Sequence, residues 1–193
     1  MTVKLQSIGA RSWRRVPNHG YTALETMRRA SNYAPPVPFH SRPDMIDPTG
    51  EIAAWYTDPP GVIMQLMRPT HLSVERVKWL LGPGHRMLEE RFPDAREFIT
   101  VLDLRRMTSR DVAARTLLLD RSLARRELFH QSYVLLPESA GPIYRTSAQA
   151  GVTLLRVMGF PVEVTPSLDD AVRKASLRPA PQIESVVRAH PQR

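Results

Sequence analysis

The chain has no cysteine, which excludes disulfides, zinc-thiolate sites and thiol nucleophiles together and fits a reducing compartment. Glycine is scarce, nine in 193 residues. No Gly-x-x-x-x-Gly-Lys or Gly-x-Gly-x-x-Gly run occurs, so the loops whose backbone amides cradle nucleotide phosphates are missing. No Gly-x-Ser-x-Gly elbow presents a serine nucleophile. The six histidines (His19, His40, His71, His85, His130 and His190) contain no pair at i,i+3 or i,i+4 that would clamp a metal from one helix. No catalytic residue, metal or cofactor is therefore expected, although a triad assembled from distant segments is not visible to this kind of reading. No apolar run approaches the roughly 20 residues of a spanning helix. The stretch from Met1 to Val16 carries Lys4, Arg11, Arg14 and Arg15 without the apolar block of a secretory signal, so a cytoplasmic protein without a membrane span is expected.

Lysine is scarce too. It supplies three of the 27 basic residues and arginine the other 24, against 19 acids, for a formal net charge of +8. The distribution matters more than the total. Residues 1–50 hold seven basic and three acidic groups, residues 51–175 hold 17 and 15, and residues 176–193 hold three and one. The excess lies mostly in the two ends, so nucleic acid is not the expected partner, and tail-mediated binding to it ranks as a third reading.

Six prolines fall in the first 50 residues, and that segment shows no sustained apolar period. It reads as a Pro-rich basic arm, mostly disordered, whose Trp13, Tyr21, Tyr33 and Phe39 are candidate docking contacts. "RRAS" at 28–31 resembles a basophilic kinase site on Ser31. Residues 177–193 read as a second tail. Between them, over 51–176, the pattern alternates. "EIAAWYTD" and "GVIMQLMR" flank Pro59, Pro60 and Gly61 as two antiparallel strands joined by a turn. A helix follows from "LSVERVKWLL", with Ser73 as N-cap and Val74, Val77, Leu80 and Leu81 inward. Gly82-Pro83-Gly84 should break it, and "HRMLEERF" resumes it with Met87, Leu88 and Phe92 inward. Then come strand "FITVLDL", helix "SRDVAARTLLLDRSLARREL", strand "SYVLLP", helix "IYRTSAQAGVTLLRVM", strand "FPVEV" and helix "LDDAVRKAS". Ser167 and Asp170 make a capping-box-like start to the last helix. The fold class is α/β, in the order β-β-α-β-α-β-α-β-α, with a mainly parallel sheet covered by helices.

Asp103 ends a central strand, where ligand sites of open α/β sheets gather. The plainer reading is that it terminates the strand or pairs with Arg105 or Arg106. Arg110, Arg115, Arg121, Arg125 and Arg126 stud the next helix. At 100° per residue Arg115 and Arg126 diverge from the other three, and Asp111, Asp120 and Glu127 intervene, so a solvated face is expected rather than a phosphate groove. Thr108 as N-cap with Asp111 at N3 accounts for the polar residues at that helix start.

"FITVLDLRRM" followed by a Thr/Ser helix start, together with the ending "FPVEVTPSLDDAVRKA" and the element order, resembles the STAS-like family. This is the domain shared by sulfate transporters and anti-sigma-factor antagonists, and the likeness is to its SpoIIAA-like branch. The resemblance spans Glu51 to Ser176. It implies a bacterial, non-enzymatic regulatory module that binds a protein partner. It also implies a phosphoacceptor at the start of the helix after the central strand, here Ser109 or Thr108, with Arg105, Arg106 and Arg110 available for phosphate pairing. The family's Asp-Ser-Ser-Gly-type signature is absent, and no glycine follows Ser109. The leading functional expectation is thus protein interaction or self-association as a homo-oligomer. The alternative is a small-ligand or lipid-binding domain of the same fold, which requires a preformed apolar pocket of several hundred Å³.

Overall fold

The structure is a computed structural model that describes residues 39, 42–84, 86–137 and 142–181. In chain order its elements are β1 (Met45–Ile46), β2 (Ile52–Asp58), β3 (Gly61–Leu66), β4 (Thr70–Leu72), α1 (Val74–Gly84), α2 (Arg86–Arg91), β5 (Phe98–Asp103), β6 (Met107–Arg110), α3 (Val112–Ala124), β7 (Phe129–Leu135), α4 (Pro142–Val157), β8 (Val162–Val164), α5 (Leu168–Lys174) and β9 (Arg178–Pro179). The β-branched and aromatic run of β2 favours extended backbone, and Pro59 and Pro60 turn it into the antiparallel β3. Gly61 opens β3 because no side chain fits there: a Cβ would press into the carbonyl oxygen of Ile99 on β5.

From β3 the sheet continues in parallel through β5, β7 and β8. Helices carry the chain across each step, as parallel pairing requires. The main sheet runs β1-β2-β3-β5-β7-β8, with β9 also on β2. The α/β class and the mostly parallel sheet under helices agree with the expectation. Sheet alternation then sorts the side chains. Val62, Met64 and Leu66 pack with Val77 and Leu80 of α1 and Ala114 of α3, while Ile63 joins Trp55, Val101 and Leu168, Ala171 and Val172 of α5. Val152 and Leu155 of α4 close over Phe129, Phe160 and Val162. One face of the sheet thus carries α1, α3 and α4, and the other carries α5.

The sheet passes both expected boundaries. β1 pairs with Ala53 and Ala54, and β9 pairs with Thr57 and Asp58, so the two short strands share the outer edge of β2. Uncovered, that edge would present open backbone groups to other chains. Two-residue strands carry no readable period, which is why residues 42–50 and 177–180 look like arm and tail in the sequence. The loop between β1 and β2 is organised by Asp47, whose Oδ1 accepts from the N–H groups of Glu51 (2.6 Å) and Ile52 (2.7 Å) while Oδ2 accepts from Thr49. Phe39, expected as an arm contact, is buried in the cluster with Trp55 and Ile63.

Helix ends follow their local chemistry. Ser167 Oγ accepts from the N–H of Asp170 at 3.0 Å, as its spacing predicts. Ser73 does the same more loosely for Arg76, at 3.4 Å. The break expected at Gly82-Pro83-Gly84 falls at its far end, since α1 runs to Gly84 and α2 begins at Arg86. Among the described residues no helix is long and apolar enough to cross a membrane.

Candidate functional site

The stretch after β5 departs from the sequence expectation. Leu104 donates its N–H to Leu135, Met107 donates back to Leu104, and residues 107–110 then run as β6 beside β4. Thr108 and Ser109 are therefore strand residues, and α3 begins at Val112. Ser109 faces His71 in the register, and Thr108 is the extra residue where the register shifts. The expected capping pair does not form. Asp111 is the N-cap by backbone angles but makes no side-chain cap bond, because its Oδ1 is held by His71 Nε2 at 3.0 Å. Two long-range interactions, the pairing of β4 and the His71 contact, override a local signal. The first turn of α3 is Val112, Ala113 and Ala114, which carry no hydroxyl, so the helix-start position assigned to Ser109 and Thr108 is corrected.

His71 Nδ1 meets Ser109 Oγ at 2.7 Å, so Ser109, His71 and Asp111 form a continuous hydrogen-bonded chain. That connectivity is shared with nucleophile relays. Enclosure is not: nearly half of the His71 and Asp111 side chains is exposed to water, and none of the three lines the cavity described below. As placed, the chain ties β4 to β6.

Of the arginines expected around a phosphate, Arg105 and Arg110 are engaged away from Ser109. Arg105 makes a two-pronged bond to Asp103, from Nε to Oδ1 at 3.0 Å and from Nη2 to Oδ2 at 2.8 Å, and Gln65 Nε2 donates to the same carboxylate. Asp103 is 2% exposed. This is the strand-ending ion pair expected of Asp103, closed rather than open to a ligand. Arg106 sits in the turn, its carbonyl accepting from Thr70. Arg110 reaches the other way and donates from Nη2 to Ser147 Oγ on α4 at 2.7 Å.

Arg110 also lines a cavity of about 130 Å³ between the sheet and α1, α3 and α4. Its walls are Leu80, Leu102, Leu118, Val134, Val152 and Leu155, among others, and its lining includes Thr100 and Ser132, whose hydroxyls are 2.8 Å apart. Gly151 faces this space, and a Cβ built on it meets nothing within 4 Å. Arg115, which reads in the sequence as part of a solvated face, lines the cavity as well. Sequence reasoning misses the cavity because three helices from distant segments make it. The small residues Ala148 and Gly151 on the inner side of α4 are the one local sign.

The outer side of α4 is the second notable surface. Ile143 is 83% exposed and Val157 80%, with Leu154, Tyr144 and Met158 also in water. Ile143, Ser147, Ala150, Leu154 and Val157 stand at i, i+4, i+7, i+11 and i+14, an uncharged stripe with the spacing of a helix-pairing seam. Val112, 83% exposed, opens α3 two residues after the Arg110 that bonds Ser147. The spacing is visible in the sequence, but only the packing reveals which side of α4 faces out. Of the other expected docking residues, Trp13, Tyr21, Tyr33 and the Ser31 motif lie outside the described residues. Compared with protein-family models, curated proteins and solved structures, the chain gives no match.

Proposed function

We propose that the chain is a non-enzymatic regulatory module of STAS-like fold that engages a protein partner or a second copy of itself through the outer face of α4. The α/β order of strands and helices and the ending "FPVEVTPSLDDAVRKA" support the family reading, whereas the Thr/Ser helix start after the central strand does not form. The observation that carries the functional one is the exposed apolar stripe from Ile143 to Val157. Apolar residues scattered singly on a surface need no explanation, whereas five exposed ones along a single helix, Ile143 and Tyr144 at its start, Leu154 and Val157 at its end and Met158 just beyond, mark an interface. Charges planted in the stripe test it. Leu154→Glu with Val157→Glu places two carboxylates at exposed positions, so thermal unfolding should stay within a few degrees of wild type. Wild-type chain should form a dimer in sedimentation velocity or retain a specific protein when immobilised, and the variant should do neither. Retention of the same species by the variant would overturn the proposal.

A second reading has its own observation. The apolar cavity beneath α4 favours binding of a small ligand, though one smaller than the several hundred Å³ expected of a lipid or drug-sized pocket. Its volume is close to that of an engineered protein cavity of about 150 Å³ that holds benzene.

A further inference from the structure

The cavity carries chemical information beyond its volume. We propose that its occupant is a small amphipathic anion, a carboxylate or a phosphate monoester, whose charged end is held by Arg110 and Arg115 and whose benzene-sized apolar body fills the space under Gly151. This rests on the small-ligand reading above and names the ligand class for it.

The charge balance makes the argument. Two other part-buried arginines have an acid beside them, Arg76 with Glu51 and Arg105 with Asp103, and a third, Arg91, is held by the Pro181 carbonyl and the Phe92 ring. At the cavity two arginines, Arg110 and Arg115, border one apolar space, and neither has a carboxylate within ion-pairing distance among the described residues. Arg110 bonds the neutral Ser147 hydroxyl. Burial first, and then the Arg115 charge, pull the Arg110 guanidinium below its ordinary value, with Tyr144 opposing them. Two like charges in partial desolvation are an unfavourable arrangement that an anion between them relieves. Arginine is also the side chain suited to this task, because its planar donors match the oxygens of a carboxylate or phosphate. The apolar end is specified as independently. Leucine, valine and phenylalanine side chains form most of the lining, and at position 151 the helix offers no Cβ, which leaves that volume open. A long acyl chain does not fit, and a free inorganic anion would leave the apolar space unused.

Three probes and three variants decide it, with the full chain in calorimetric or ligand-observed NMR titrations. The probes are phenylacetate, phenyl phosphate and the neutral 2-phenylethanol. The expected result is that at least one acid binds about tenfold or more tighter than the alcohol. Arg110→Gln or Arg115→Gln should bring the acid down to the alcohol's level. Gly151→Leu should abolish binding of all three, and benzene should compete with the acid on the wild-type chain, a check that needs no variant to fold. The tighter acid identifies the head group. Equal binding of acid and alcohol overturns the anion assignment while leaving the cavity reading standing. Acid binding that neither Gly151→Leu nor benzene reduces overturns the proposal by placing the site on the arginine-rich surface. If no probe binds, benzene included, the cavity reading falls and the proposal with it.

Discussion

Burial pushes the Asp47 carboxyl up, but the Thr49 hydroxyl and the N–H groups of Ile52, Glu51 and Thr49 together hold it below its ordinary 3.8. A carboxyl depressed in the native state stabilises the fold above its unfolded pKa and loses that contribution as pH falls through the native one. Asp47→Ala, which leaves the buried Ile52 N–H and the part-buried Glu51 N–H short of an acceptor, should cost about 2 kcal/mol in urea unfolding at pH 7. Between wild type and Asp47→Asn, the stability gap should be full at pH 7 and should narrow below about pH 4. A gap that stays constant from pH 7 to pH 2.5 would show that the charge contributes nothing. Gly151 makes the opposite prediction. Its position is helical, and a methyl group enters open space, so Gly151→Ala should raise stability by about 1 kcal/mol through backbone entropy alone. A loss measured in the same unfolding experiment would contradict the open space assigned there.

At the scale of elements, legibility followed local chemistry. The β2–β3 hairpin announced itself through two prolines and a glycine between β-branched runs, and α1, α4 and α5 through apolar spacing and, for α5, the Ser167 cap. β4 and β6 did not. Each is only three or four residues long, and each exists because the other, nearly 40 residues away, supplies its hydrogen-bond partners. The Thr108–Asp111 capping pair failed for the same reason. His71, invisible to a local reading of residues 108–111, draws the Asp111 carboxylate away from the helix. Asp103 was legible as a strand terminator because its partner is two residues off. α4 was legible as a helix, but the sequence shows two uncharged sides on it, and the packing decides which one is inside. Ala148, Gly151, Val152 and Leu155 go in; Ile143, Leu154 and Val157 stay out. The prediction for Leu154→Glu with Val157→Glu belongs to this scale, since it removes a surface property of one helix and leaves the core alone.

Across the whole domain the two faces of the sheet differ in a way that bears on function. One is covered by α5 with Phe39 and Leu177, closely enough that Trp55, Ile63 and Val101 are all but inaccessible. The other is covered by α1, α3 and α4, and there the cavity, Arg110 and Arg115 lie directly under the helix whose outer side is apolar. An occupant of the cavity and a partner on α4 would therefore share one helix, with Ser147 on the stripe bonded to Arg110 at the cavity. The proposed interface is the claim on which this account turns, and position-specific photocrosslinking tests it most directly. A photoreactive phenylalanine derivative is placed at Leu154 or Val157 on the stripe, and at the exposed Arg121 on α3 as control. One discrete adduct, to a defined protein or to a second copy, is expected from positions 154 and 157 and not from 121. Absence of an adduct at both stripe positions, or the same adduct from all three, would contradict it.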